Sequence, residues 1–171
     1  MGGIQNRARQ HFFCFLARGL RRKWMSMTNE VVVLIADDDL GHIRLIEKNL
    51  RRAGLHNPIE RFDNGQDVLD FLFGRGPRRR AKEAPYLLLL DIRMPKVDGV
   101  EVLRQIKADP ELRKIPVIVL TTTDDPREVE HCHALGCSNY VVKPVDYEKF
   151  AEAIKQFGLF IALVQVPEVR T

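Results

Sequence analysis

Four stretches of this 171-residue chain end in residues that could do chemistry together: Asp37-Asp38-Asp39, Asp91, Thr121 and Lys143. Carboxylate oxygens suit a hard cation such as Mg²⁺. A hydroxyl and an ammonium suit the oxygens of a phosphoryl group. An aspartate beside the cation can itself accept that group as an acyl phosphate, while the cation neutralises charge on the incoming oxygens. Each residue also has a plainer role. An aspartate can cap a helix, and Asp39 suits that position. Asp91 can open the turn Asp91-Ile92-Arg93-Met94-Pro95, and Thr121 is an ordinary strand residue with Thr122 and Thr123 competing for its role. Three successive acids near a fourth are harder to explain as caps, because clustered like charges cost stability unless a cation or shared proton relieves them. Lys143 ends an apolar run just before a proline, which surface solubility explains poorly. The inventory points to Mg²⁺ on Asp37 and Asp38 beside Asp91, with Thr121 and Lys143 turned to a phosphoryl group.

Those residues meet only if the strands that carry them lie side by side. Val31–Ala36 is a continuous apolar run, as expected of a parallel strand buried on both faces. Ile43, Ile46 and Leu50 place an apolar stripe on a helix, Leu40–Arg52, that stops near Gly54. Pro58–Phe62 is short and more polar, which predicts a sheet edge. Asn64 caps a helix that buries Val68, Leu69, Leu72 and Phe73 and ends at Gly74. Tyr86–Leu90 is the most apolar strand and predicts the sheet centre. A helix over Gly99–Ala108 ends at Asp109-Pro110. Strand Ile115–Leu120, helix Pro126–Leu135 closed by Gly136, strand Ser138–Val142 and helix Tyr147–Phe160 complete the pattern. Five βα units predict an α/β fold: a doubly wound five-stranded parallel sheet of order 2-1-3-4-5 with helices on both faces. In such sheets the carboxyl ends of the strands form the ligand crevice.

Composition narrows the function classes. Apolar residues make up 45% and charged residues 29% of the chain, ordinary for a globular domain. The net charge of +4 is uneven, because residues 1–27 hold six bases and no acid. The remainder is slightly acidic, so no DNA-binding domain is expected. No run approaches the about 20 apolar residues of a membrane span. Residues 1–29 are expected to be an extension without fixed structure, with a working start at Met25 or Met27, although their Arg-rich, acid-free make-up is also that of a transit peptide. The domain is placed at 30–165 and a tail at 166–171. Cys14, Cys132 and Cys137 give no disulfide framework, and His131-Cys132-His133 with Cys137 matches no zinc spacing. A reducing cytoplasm is the expected location.

Asp37-Asp38, Leu-Leu-Asp91-Ile-Arg-Met-Pro-Lys-Val-Asp-Gly99, Val-Leu-Thr121-Thr and Tyr140-Val-Val-Lys143-Pro144 together resemble the motif set of the two-component response regulator receiver domain, the CheY-like family. The likeness runs from about Glu30 to Phe160 with every motif in family order. It implies that Asp91 is the phosphoacceptor, served by Thr121 and Lys143, and that Mg²⁺ binds Asp37, Asp38, Asp91 and the backbone carbonyl of Arg93. It also implies a switch pair, Thr121 and Tyr140, and a cis peptide between Lys143 and Pro144. Arg93 and Thr123 depart from the family's usual residues beside the path of the attacking water, which leaves the phosphoryl lifetime open.

The basic loop Arg75–Pro85, with Arg75, Arg78, Arg79, Arg80 and Lys82, reads as solvated surface, with docking of an acidic partner as the sharper alternative. That loop and the apolar tail Phe157–Glu168 resemble stand-alone regulators paired with cyanobacterial and bacterial phytochromes. The expected function is a single-domain response regulator that takes a phosphoryl group from a sensor histidine kinase, of phytochrome type by that resemblance. It would catalyse only its own phosphorylation and dephosphorylation. A homodimer through helix 4, strand 5, helix 5 and the tail is expected from the apolar surface there. Two other readings compete. A haloacid-dehalogenase-type phosphatase would use Asp37-Asp38-Asp39, Thr121 and Lys143, but it needs another acidic pair on a strand end and has no role for Asp91. A receiver that signals without phosphorylation would not need its acceptor set.

Overall fold

Apolar residues that alternate in direction along buried strands, and recur every three or four along helices, require a sheet sandwiched between helices. The computed structural model has that arrangement. It describes residues 30–81, 84–143, 146–161 and 169, so the expected N-terminal extension lies outside the described residues. In chain order the elements are β1 (Val32–Ala36), α1 (Leu40–Arg52), β2 (Ile59–Phe62), α2 (Gly65–Phe73), β3 (Tyr86–Leu90) and α3 (Gly99–Ala108). A 3₁₀ turn (Leu112–Lys114), β4 (Val117–Thr121), α4 (Pro126–Ala134), β5 (Asn139–Val142) and α5 (Tyr147–Ile161) follow. The five strands pair in parallel in the order β2-β1-β3-β4-β5, so the predicted doubly wound α/β sheet is the observed one.

Two apolar layers flank the sheet. Leu34, Leu88, Leu90, Val117 and Val119 face one way, onto Val68, Leu69, Leu72, Val102, Leu103 and Cys132 of α2, α3 and α4. Val33, Ile35, Leu87, Leu89, Ile118 and Leu120 face the other, onto Ile43, Ile46, Leu50, Phe150 and Ile154 of α1 and α5. Every residue of β3 is buried, as befits the central strand, whereas β2 at one edge buries only Phe62. Helix starts are set by side-chain caps. Asp39, Asn64, Asp98 and Asp125 each accept hydrogen bonds from amides of the first turn.

Several boundaries differ from the expectation by one residue, and the fourth strand differs most. The fourth strand begins at Val117 rather than Ile115 and runs through Thr121. Pro116 has no N–H to enter a ladder. The Ile115 carbonyl is taken by Lys107 Nζ at 2.7 Å, and the Ile115 amide closes the 3₁₀ turn on Leu112.

The basic loop is only partly solvated. The Arg78 guanidinium lies 4.8 Å from the Phe62 ring centroid, pairs with Glu60 and donates to the Arg61 carbonyl at 3.4 Å. It therefore covers the exposed edge of β2, where an uncapped strand invites unwanted pairing. Arg75 lies over Phe73. Arg80 donates to the Leu72 carbonyl at 2.9 Å and to the Val169 carbonyl at 3.3 Å. Val169 is itself buried in the α2–α3 side of the core, so this tail residue packs on its own domain. Most of the expected apolar tail, including the side chains of 156–161, lies outside the described residues.

Candidate functional site

Strand register brings the chemistry together. Ala36 and Leu90 are paired across β1 and β3, so Asp37 and Asp91, each the next residue, leave adjacent strands at one level. Thr121 and Val142 are paired across β4 and β5, and Lys143 follows immediately. Backbone bonds extend the ladder one step past the strand ends. Asp91 N donates to Ala36 O at 2.8 Å, Asp37 N to Phe62 O at 3.0 Å and Lys143 N to Thr121 O at 2.6 Å. These bonds aim the side chains over the crevice where such sheets bind ligands.

Asp37, Asp38 and Asp91 each place a carboxylate oxygen within 4.8 Å of the others, a set that could hold one divalent ion. Asp37 and Asp91 are buried, while Asp38 is exposed. Lys143, also buried, reaches into this cluster, donating to Asp37 Oδ2 at 2.6 Å and lying 3.3 Å from Asp91 Oδ1. Burial pushes the Asp91 carboxyl above its ordinary pKa, and the neighbouring Asp37 charge adds to that, while Lys143 pulls it back. Asp39 does not join the cluster. Its Oδ1 accepts from Gly41 N and His42 N as the cap of α1, and those backbone bonds hold its carboxyl below the usual range.

The Thr121 side chain is fully buried, and its hydroxyl oxygen accepts weakly from Thr123 N at 3.4 Å. Arg93 sits two residues past Asp91, with its side chain paired to Glu128 on α4. Tyr140 is half-buried and its phenol donates to the Thr123 carbonyl at 3.1 Å. Pro144 is outside the described residues, and the expected cis peptide with it.

The loop from Asp91 to α3 leaves no room at Gly99. A Cβ there would meet the Asp91 carbonyl oxygen at 2.1 Å and Ile92 Cα at 2.8 Å. Gly99→Ala is expected to destabilise the domain by about 3 kcal/mol, since the obstacle is backbone. A urea midpoint that falls with an unchanged slope would bear this out, and an unchanged midpoint would contradict it.

Residues 33–155 match the family model described as the response regulator receiver domain. This chain is a response regulator receiver. A receiver from Rhodospirillum rubrum has a crystal structure that is 46% identical, with TM-score 0.77, covering 82% of this chain and 99% of that one. The phosphorylated cyanobacterial phytochrome response regulator RcpA is 29% identical with TM-score 0.74, covering 82% and 99%. Among curated relatives, response regulator Rcp1 of Synechocystis is 32% identical over 131 residues, covering 75% of this chain and 88% of that protein.

Two residues of the receiver site escaped sequence reasoning. His42 Nδ1 lies 3.3 Å from both Asp37 Oδ1 and Lys143 Nζ, and its ring meets Phe150 of α5 edge-on. The available signal was its place four residues before Ile46, one turn ahead of that buried residue of α1 at the end nearest the acids. Glu128 reads in sequence as one more acid in the first turn of a helix, so its contact with Tyr140 had no local signal.

Proposed function

We propose that this receiver takes a phosphoryl group from the phosphohistidine of a sensor histidine kinase onto Asp91. The observation that carries this reading is the buried Asp37–Lys143–Asp91 cluster at the carboxyl ends of β1, β3 and β5. Asp37, Asp38 and Asp91 would hold Mg²⁺ there, with the Arg93 carbonyl as a further ligand on the receiver resemblance alone, and the ion would offset charge on the phosphoryl oxygens. An Asp91 carboxylate oxygen attacks phosphorus, the P–N bond breaks, and the imidazole leaves with the bonding pair. Lys143 exchanges its aspartate partner for a phosphoryl oxygen, and the Thr121 hydroxyl donates to another. Thr121 and Tyr140 then report the change at the α4–β5–α5 face by population shift between pre-existing arrangements. Water attack on phosphorus later returns free Asp91 and phosphate.

The kinase is proposed to be of phytochrome type on the likeness to RcpA and Rcp1, joined by a 36% identical bacteriophytochrome response regulator covering 81% of this chain and 83% of that one. A homodimer through the α4–β5–α5 face is proposed with it; Val142 is 40% exposed at the β5 edge. Incubation with Mg²⁺ and either a small phosphodonor or a phosphorylated histidine kinase should give one base-labile adduct by intact mass. Absence of the adduct with both donors would end the reading. Sedimentation of the same samples tests the pair, which a monomer at tens of micromolar in both states would exclude.

A further inference from the structure

Tyr140 has more than one partner. Its phenol oxygen lies 3.1 Å from the Thr123 carbonyl and 3.4 Å from Glu128 Oε1. The second oxygen of the same carboxylate, Glu128 Oε2, lies 3.3 Å from Arg93 Nη2. One side chain on α4 therefore touches both the β5 tyrosine and the loop that follows Asp91. Its plainer role is an acid in the first turn of α4, favoured by the helix dipole. That role does not require the carboxylate to turn one oxygen to each of two other elements. Glu128 is also shielded, with 19% side-chain exposure, while Arg93 reaches in from solvent at 69%. Partial burial strengthens such contacts relative to those between exposed pairs. Burial first, and the Glu128 charge second, push the Tyr140 phenol upward, so it remains a protonated donor at neutral pH.

We propose that Glu128 is a positioning residue for Tyr140, coupling the phenol's inward placement, against the Thr123 carbonyl and Glu128 rather than out in solvent, to the Arg93 loop of the acceptor site. Asp91, Ile92 and Arg93 are consecutive, and the loop is anchored by Gly99 N donating to Ile92 O at 2.9 Å. A shift of this loop when the site is engaged moves the Arg93 end of the bridge, and Glu128 passes it to Tyr140. The coupling is reciprocal, so holding Tyr140 inward biases the loop by the same factor. This inference rests on the reading of Asp91 as acceptor.

The test places 3-fluorotyrosine at position 140 of the full chain and follows its ¹⁹F line with Mg²⁺, with and without beryllofluoride as the acyl-phosphate mimic. Glu128→Ala should lower the inward-to-outward ratio about 2-fold, less than one net hydrogen bond, because the single phenol proton is shared with the Thr123 carbonyl. Glu128→Gln keeps an acceptor oxygen for the phenol but loses the charge for Arg93, and should recover most of that loss. Arg93→Ala should shift the ratio in the same direction in the wild-type background and add nothing once Glu128 is alanine. An unchanged ratio in Glu128→Ala, or an Arg93→Ala effect of equal size with and without Glu128, overturns the proposal. Intact-mass labelling of the same variants separates the two failures. Labelled Asp91 with a Tyr140 that ignores Glu128 sinks this inference alone, whereas a wild-type chain that no donor labels sinks the site reading beneath it.

Discussion

Asp91→Asn is expected to lose the phosphoryl adduct altogether while the folded domain survives with equal or greater stability. An amide nitrogen or oxygen is no nucleophile for phosphoryl transfer, so residue 91 itself can no longer accept the group. The stability half follows from electrostatics. Burial and the nearby Asp37 charge raise the Asp91 pKa in the folded chain, with Lys143 only partly opposing them. A carboxyl whose folded pKa lies above its unfolded value binds its proton more tightly in the folded state. Its contribution to stability is therefore fully present below the unfolded pKa and is lost as pH rises through the folded pKa. At neutral pH the ionised group is a net burden, which the isosteric amide removes. Thermal melting at pH 7 should give a midpoint between the wild-type value and about 3 °C above it, and the gap should close as pH falls toward 4. An adduct of wild-type yield on the variant would refute the acceptor assignment. A large drop in midpoint would refute the charge argument.

Lys143→Ala carries the second large effect, and it should depend on metal. Lys143 is the cation shared by two buried aspartates, at 2.6 Å from Asp37 and 3.3 Å from Asp91. Removing one member of a buried ion cluster leaves the others desolvated and unpaired, at a cost of about 3–5 kcal/mol. In chelator the variant should unfold at distinctly lower denaturant than wild type. A divalent cation supplies the missing charge, so millimolar Mg²⁺ should restore more stability to the variant than it adds to wild type, by the usual binding linkage. Losing Lys143 also removes the charge that pulls the Asp91 pKa back, so Asp91 will hold its proton more readily and the deficit should shrink at low pH and grow as pH rises. Some labelling of Asp91 should remain, because the proposed acceptor and the proposed metal ligands are intact, while beryllofluoride should move the Tyr140 line less than in wild type. Equal Mg²⁺ stabilisation of both proteins in urea titrations would show that Lys143 and the cation do not share a site.

Much of this protein was legible before any coordinates. Apolar runs bounded by Asp, Gly and Pro determined five βα units, with α1 and α3 at their observed limits, because helix and strand periodicities and caps are local signals. The polar character of Pro58–Phe62 and the four leucines of β3 marked edge and centre, since burial on both faces demands an uninterrupted apolar strand. The acids, the threonine and the lysine could be named because each ends a strand, and parallel topology sends strand ends to one crevice. Sequence alone did not determine which groups touch. That Lys143 bonds Asp37 more closely than Asp91 and that His42 turns into the cluster depend on register across β1, β3 and β5 and on the packing of α1 against α5. The same holds for Arg78, whose place in a run of bases reads as solvated charge until β2 and the Phe62 ring come within reach. Glu128 is the clearest case. Its helix position is local, but its two partners lie 35 and 12 residues away, and only the folded sheet brings them to either side of one carboxylate.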